Sequence, residues 1–219
     1  MALIAPTDRM EHAMSPALLK RRDIVALVAL PAIWTGLRAQ PAAPGRPTPA
    51  QTEGPFYPVE IPADSDFDLL RNGSLNYSQG HAAWVEGGVT DLQGKPVAGA
   101  IVEIWQCDEA GHYHHPADRG KADPAFQGFG RVTVGADGRY RFRTIRPAPY
   151  SGRAPHIHVK VKLAGRELLT TQLYVAGDPH NQRDVLWRQL GEEGQRAVTV
   201  PFVQAADGLR ASFPIVLAS

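Results

Sequence analysis

The 219-residue sequence contains a single cysteine, Cys107. No intrachain disulfide can form, and a cysteine-based zinc site is excluded with it. Charge of one sign is equally scarce: 23 Lys and Arg stand against 22 Asp and Glu, a formal net charge of +1. Without residues 1–39 the balance is 18 basic against 19 acidic side chains. Such a body has no bulk attraction for nucleic acid, which needs clustered positive charge. A long apolar run is missing too. "IVALVALPAIWTG" (24–36) is short for a bilayer span and is interrupted by Pro31. Helical periodicity is confined to "RDVLWRQLG" (183–191).

What is present begins with an ordered N-terminus. Lys20-Arg21-Arg22 precedes the apolar run, and "LRAQPAAP" follows it. Charged, apolar and small residues in that order read as an export signal over residues 1–39. The Arg21-Arg22 pair points to the twin-arginine route, which carries folded proteins. The expected location is periplasmic or secreted, with no membrane in the mature form; the alternatives are a cytoplasmic protein and an N-terminal arm. Met14 offers a second start with a shorter charged region. Residues 40–51 are Pro/Ala-rich and read as an extended linker. Residues 52–219 make up the remaining domain.

That domain is rich in turns and short β-type runs, with 21 Gly and 19 Pro in the chain and 43% hydrophobic residues. "AAWVEGGVTD" (82–91) leads to a turn at Gln93-Gly94-Lys95-Pro96. "AIVEIWQC" (100–107) alternates, with Val102 and Ile104 on one face and Glu103 and Trp105 on the other. "RVTVGADGRYRFRTI" reads as a hairpin turning at Asp137-Gly138. "HIHVKVKL" and "ELLTTQLYV" form a second around Ala164-Gly165, and "AVTVPFV" and "ASFPIVL" a last pair around Asp207-Gly208. The pattern predicts an all-β fold, an antiparallel β-sandwich with one short helix near the C-terminus.

Five of the eight histidines fall in two clusters, "GHYHHP" (111–116) and "HIH" (156–158). On a strand, His156 and His158 project side by side while Ile157 points into the opposite layer. Each cluster has a tyrosine near it, Tyr113 and Tyr150. Two phenols and two imidazoles suit a hard trivalent metal. A phenol of pKa about 10 must lose its proton to coordinate, which Fe(III) forces at neutral pH far more readily than Zn(II). Each residue alone has an ordinary reading as a packed aromatic or a solvated polar group; His114 and His115 read as loop residues.

Taken together, "VEIWQCDEAGHYHH", "DGRYRFRTIRPAPY", "RAPHIHVKV" and "TTQLYVAGDP" resemble the intradiol ring-cleavage dioxygenases, which include protocatechuate 3,4-dioxygenase and catechol 1,2-dioxygenase. The resemblance runs from "TEGPFYPV" at residue 52 to the C-terminal strands. It implies one non-haem Fe(III) held by Tyr113, Tyr150, His156 and His158. It implies that Arg153 stabilises negative charge on the substrate ring, that Gln172 lines the site, and that Tyr150 yields its place to substrate. Pro55, Tyr57 and Trp105 are implied to border the substrate. The implied reaction takes a catechol-type compound and O2 to a cis,cis-muconate-type product.

Two departures accompany the resemblance. A helical dimerisation region, carried N-terminally by the catechol-type members, is replaced here by the linker, and a homo-oligomer is left open. Protocatechuate-type members insert a longer segment between the second tyrosine and the arginine, where this chain has only Ser151-Gly152. A trimmed wall implies an open pocket with loose selectivity among catechols. Two other readings remain: a non-catalytic prealbumin-like β-sandwich binding module, and a zinc hydrolase using His156, His158 and His115.

Overall fold

The computed structural model describes residues 45–218. The segment read as an export signal lies outside them. A small antiparallel hairpin joins β1 (Arg71–Asn72) to β2 (Leu75–Asn76). The body is built from β3 (Ala82–Thr90), β4 (Ile101–Trp105), β5 (Phe129–Thr133), β6 (Arg139–Ile145), β7 (His156–Leu163), β8 (Arg166–Val175), β9 (Thr199–Val200), β10 (Val203–Ala205), β11 (Gly208–Ser212) and β12 (Ile215–Val216). One sheet runs β10-β11-β3-β12, with β6 also paired to β3; the other runs β5-β4-β7-β8-β9.

The two sheets pack face to face. Val85, Val89 and Phe142 from the first meet Val102, Ile104, Ile157, Val159 and Leu173 from the second in one buried core. This is the predicted sandwich. It is not wholly antiparallel: β11 and β12 run parallel to β3, and β9 runs parallel to β8.

Three connections differ from the sequence pattern. The last pair expected around Asp207-Gly208 forms only in part: β10 pairs with β11, whereas β9 joins β8 and β12 joins β3, in opposite sheets. Residues 129–145 do not form a hairpin. β5 pairs with β4 and β6 with β3, so the Asp137-Gly138 turn carries the chain from one sheet to the other. An Asp-Gly turn fixes a local reversal, whereas the burial of Tyr140 and Phe142 in the shared core selects the partner strand. The single short helix expected over 183–191 is instead two, α1 (Val185–Arg188) and α2 (Gly191–Val198). The second consumes Ala197 and Val198, which had read as strand. Glu192 and Glu193 in its first turn and Arg196 in its last complement the helix dipole.

The hairpin of β7 and β8 forms as expected. Ala164 (φ 50°) and Gly165 (φ 76°) both sit in the left-handed region, as a two-residue turn of this hand requires. Odd residues of β7 (Ile157, Val159, Val161) fill the core. Even residues (His156, His158, Lys160) face away from it and are buried nonetheless. They are covered by the segment that precedes β1. Residues 45–51, from the stretch read as a linker, are pinned there. Thr48 and Val216 exchange hydrogen bonds of 2.9 Å, and Gln51 N–H donates to Thr170 O at 2.8 Å. The segment then crosses the outer face of the second sheet.

Candidate metal centre

That outer face holds the chemistry. Register places Trp105, His158 and Gln172 side by side on β4, β7 and β8, with His156 opposite Tyr174. The Trp105 indole stacks on the His158 imidazole at 4.7 Å and 7°. His156 and His158 bring their Nε2 atoms to 3.2 Å. Tyr113 enters from the loop after β4, and Tyr150 from the strand-like segment before β7. Their rings lie 5.0 Å apart edge to face, with Tyr150 5.4 Å from His156 and Tyr113 6.2 Å from His158, centroid to centroid. The four side chains expected as donors thus converge on one point from three segments.

The turn between Tyr150 and Arg153 explains how a tyrosine and an arginine share the site. Arg153 N–H donates to Tyr150 O at 2.7 Å, and Ser151 (φ 44°) and Gly152 (φ 77°) supply the two left-handed residues between them. Gly54 is the second position where glycine matters. It holds φ 73°, and a Cβ there would come within 3.4 Å of His158 Cε1. The covering segment therefore approaches the imidazole by its backbone alone.

Burial sets the protonation states. It pushes the Tyr113 hydroxyl well above the ordinary phenol range and also raises Tyr150, where the Arg153 charge works the other way. It lowers His156 to about 4, helped by Arg153, and His158 well below its usual value, helped by His156 and Arg153. Both imidazoles are therefore neutral at pH 7. His156 donates Nδ1–H to Ala154 O at 2.6 Å, which leaves its Nε2 with a lone pair aimed at His158.

The donor set fits a hard trivalent cation. The Tyr113 hydroxyl is buried and has no partner among the described residues. A buried hydroxyl left unsatisfied costs about 1–3 kcal/mol, which an ion bound to it would offset. Two oxygens that become anionic and two neutral nitrogens suit the hardness of Fe(III) and offset two of its three charges. Among the described residues no three His, Cys, Asp or Glu gather to hold a metal. The zinc reading loses its third ligand in particular, because His115 Nδ1 accepts from Ala117 N–H at 3.1 Å and caps a short 3-10 turn.

A family model described as "Dioxygenase" matches residues 52–218, which include all four of these side chains. The chain belongs to the intradiol ring-cleavage dioxygenase family. It is 40% identical over 136 residues to the protocatechuate 3,4-dioxygenase beta chain of Burkholderia cepacia, covering 57% of this chain and 58% of that protein. It is 34% identical over 155 residues to the catechol 1,2-dioxygenase of Acinetobacter baylyi, covering 63% and 49%. A solved structure resembles it over 79% of this chain and 99% of that one, with 34% identity and a TM-score of 0.64. That structure is the dioxygenase domain of a dioxygenase–carbohydrate-binding protein fusion from Streptomyces sp. SirexAA-E. The chain spans about half the length of the curated relatives it matches. Membership of this dioxygenase family removes the motive for reading the sandwich as a scaffold alone.

Arg153 and Gln172 also meet. Arg153 donates from Nη2 to Gln172 Oε1 at 2.6 Å and to the Tyr174 hydroxyl at 3.2 Å, and from Nε to Asp184 Oδ2 at 2.8 Å. Gln172 in turn donates to Thr52 O at 3.1 Å. Of the remaining residues read from the sequence, Pro55 is exposed on the covering segment. Tyr57 turns away from the donors: its ring meets Trp105 edge to face at 5.0 Å and its hydroxyl donates to Glu103 Oε2 at 2.8 Å. Lys160, beneath that ring at 3.9 Å, is ion-paired to Glu53 and Glu167 and ties the segment down.

Tyr174 and Asp184 are neighbours that the sequence did not single out, and Phe56 stood only within the stretch Gly54-Pro55-Phe56-Tyr57 that the resemblance places beside the substrate. Phe56 stacks on Tyr113 at 4.4 Å and 10°, and meets Tyr150 edge to face at 5.8 Å. The alternation of β8 carried a signal for Tyr174, which shares a face with Gln172. An aspartate ahead of a helical stretch reads only as a cap.

Proposed function

We propose that this chain cleaves catechol-type aromatics between the two hydroxyl-bearing carbons, with O2 as the oxidant and a ferric ion held by Tyr113, Tyr150, His156 and His158. The observation that carries the reading is the convergence of two phenols and two neutral imidazoles around a buried, unpaired Tyr113 hydroxyl. The names of its relatives support the substrate class: protocatechuate, catechol and hydroxyquinol all have adjacent ring hydroxyls. When bound, a ferric ion would draw electron density from a chelated catechol and open its ring to O2.

The chain's own groups have separable tasks. Tyr113, sealed in, is the permanent phenolate. Tyr150 is half-buried and lies beside Arg153, so its oxygen is the one placed to leave and accept a substrate proton. The Arg153 guanidinium, fixed by Gln172 and Asp184, is a preorganised positive charge for a ring that becomes anionic. Phe56 closes one side with an apolar face. The covering segment as a whole keeps bulk water from the imidazoles.

The test is turnover of catechol by iron-loaded protein under 18O2. The expected product is a cis,cis-muconate carrying both heavy atoms, from a protein whose visible tyrosinate band shifts when catechol is added anaerobically. Incorporation of label into an aldehyde-bearing product, or a colourless loaded protein, would overturn the proposal.

A further inference from the structure

The side chain of Asp184 is fully buried, yet it lies neither among the four donors nor among the groups assigned above to the ring. Its two oxygens take three donors. Oδ2 accepts from Arg153 Nε at 2.8 Å and from Ala154 N–H at 2.9 Å, while Oδ1 accepts from Trp187 N–H at 3.1 Å. Two of these come from consecutive residues of the segment that leads into β7. The third is the first turn of α1. A carboxylate taken out of water needs such partners, and here they hold its pKa below the usual range although burial alone would raise it.

We infer that Asp184 is a positioning residue for ring cleavage: it fixes Arg153 through Nε and residue 154 through its N–H, and so aims both the guanidinium and the His156 imidazole at the site. The inference rests on the function proposed above. The geometry is specific. Nε and Nη2 form one edge of the guanidinium, and both are taken, by Asp184 on one side and by Gln172 and Tyr174 on the other. That fixes the plane of the group and leaves Nη1 with no acceptor among the described residues. The same carboxylate oxygen anchors Ala154, whose carbonyl accepts Nδ1–H of His156 at 2.6 Å. Direction at an imidazole ligand is set by the bond its other nitrogen makes. One carboxylate therefore governs two groups facing the same reaction centre, which a plain helix cap would have no reason to do.

Asp184→Asn keeps the shape and removes the charge. Its amide can replace only part of the acceptor set, since its NH2 would face a donor. In metal-free protein, the Arg153 Nε–H resonance should be resolved and slow to exchange in the wild type, and shifted or lost in the variant. In iron-loaded protein, kcat on catechol should fall by roughly 10- to 100-fold, with KM changed less than about fivefold and iron content preserved. In an Arg153→Lys background the same change should cost no more than a further two- to threefold, because the amide oxygen of Asn can still accept from Ala154 N–H and only the contact to Arg153 is lost. Asp184→Glu, which retains the charge, should stay within about tenfold of wild type. It carries the comparison if the Asn variant does not fold. Multiplying losses in the double variant, an unaltered Arg153 resonance, or a loss of turnover that tracks loss of iron would overturn the inference. A wild type that leaves catechol intact would overturn the proposed function instead, while the resonance comparison would still decide whether Asp184 holds Arg153.

Discussion

Tyr113 and Tyr150 carry the same functional group in unequal surroundings, and under the proposed function the difference separates their roles. Tyr113 has a buried hydroxyl with no partner among the described residues, whereas Tyr150 sits half-buried next to a guanidinium. Tyr150→Phe should therefore still take up iron, lose much of the visible tyrosinate band, and turn over catechol at least about 100-fold more slowly. Metal analysis, the spectrum and steady-state rates check this together; full activity with unchanged colour would refute the assignment. That these two tyrosines would lie together with His156 and His158 was legible in the sequence, because two histidine clusters, each close to a tyrosine, are a rare coincidence in so short a chain. Asp184 was not. Its partner Arg153 lies 31 positions away, and only the folded chain brings a helix cap against the segment that enters β7.

Elements were readable where a local rule decides the outcome. The β7–β8 hairpin needs two left-handed turn residues and an alternating strand on each side, and all are written in the sequence. Residues 129–145 carry the same local signs, but their partners are chosen by distant packing. The cover over the polar face of β7 was not legible for a similar reason, since nothing local announces that residues 45–57 will cross it. The Ser151-Gly152 turn is the element on which the site most depends and the core least. A Cβ added at Gly152 meets nothing within 4 Å, so the main penalty of a side chain there is backbone strain at φ 77°, roughly 1–3 kcal/mol. Gly152→Val should leave the sandwich folded, with a melting midpoint only a few degrees lower, and yet reduce turnover by about tenfold or more as Tyr150 and Arg153 lose their spacing. Calorimetry beside steady-state kinetics separates the two effects.

For the molecule as a whole, the two buried imidazoles set an acid limit. His156 titrates at about 4 in the folded protein and near its ordinary value once unfolded, and His158 is shifted in the same direction. Between those values the unfolded chain binds more protons, so folding stability falls as pH drops through this range. Metal-free protein should hold a constant melting midpoint at neutral pH and lose stability progressively from about pH 6.5 down to about pH 4, His156 alone accounting for on the order of 3 kcal/mol. A pH series of thermal melts checks the sign; a midpoint that rises toward pH 4 would contradict the burial of both rings.

The alternation of β7 has a consequence for how this protein can change. Neighbouring positions along one strand answer to two different demands, because Ile157, Val159 and Val161 complete the interior while His156 and His158 meet Tyr113 and Tyr150 outside it. A slip of pairing by one residue would trade imidazole for isoleucine on both sides at once. Correct threading of that strand and assembly of the four-residue cluster are thus a single event, and a misthreaded chain fails both requirements together.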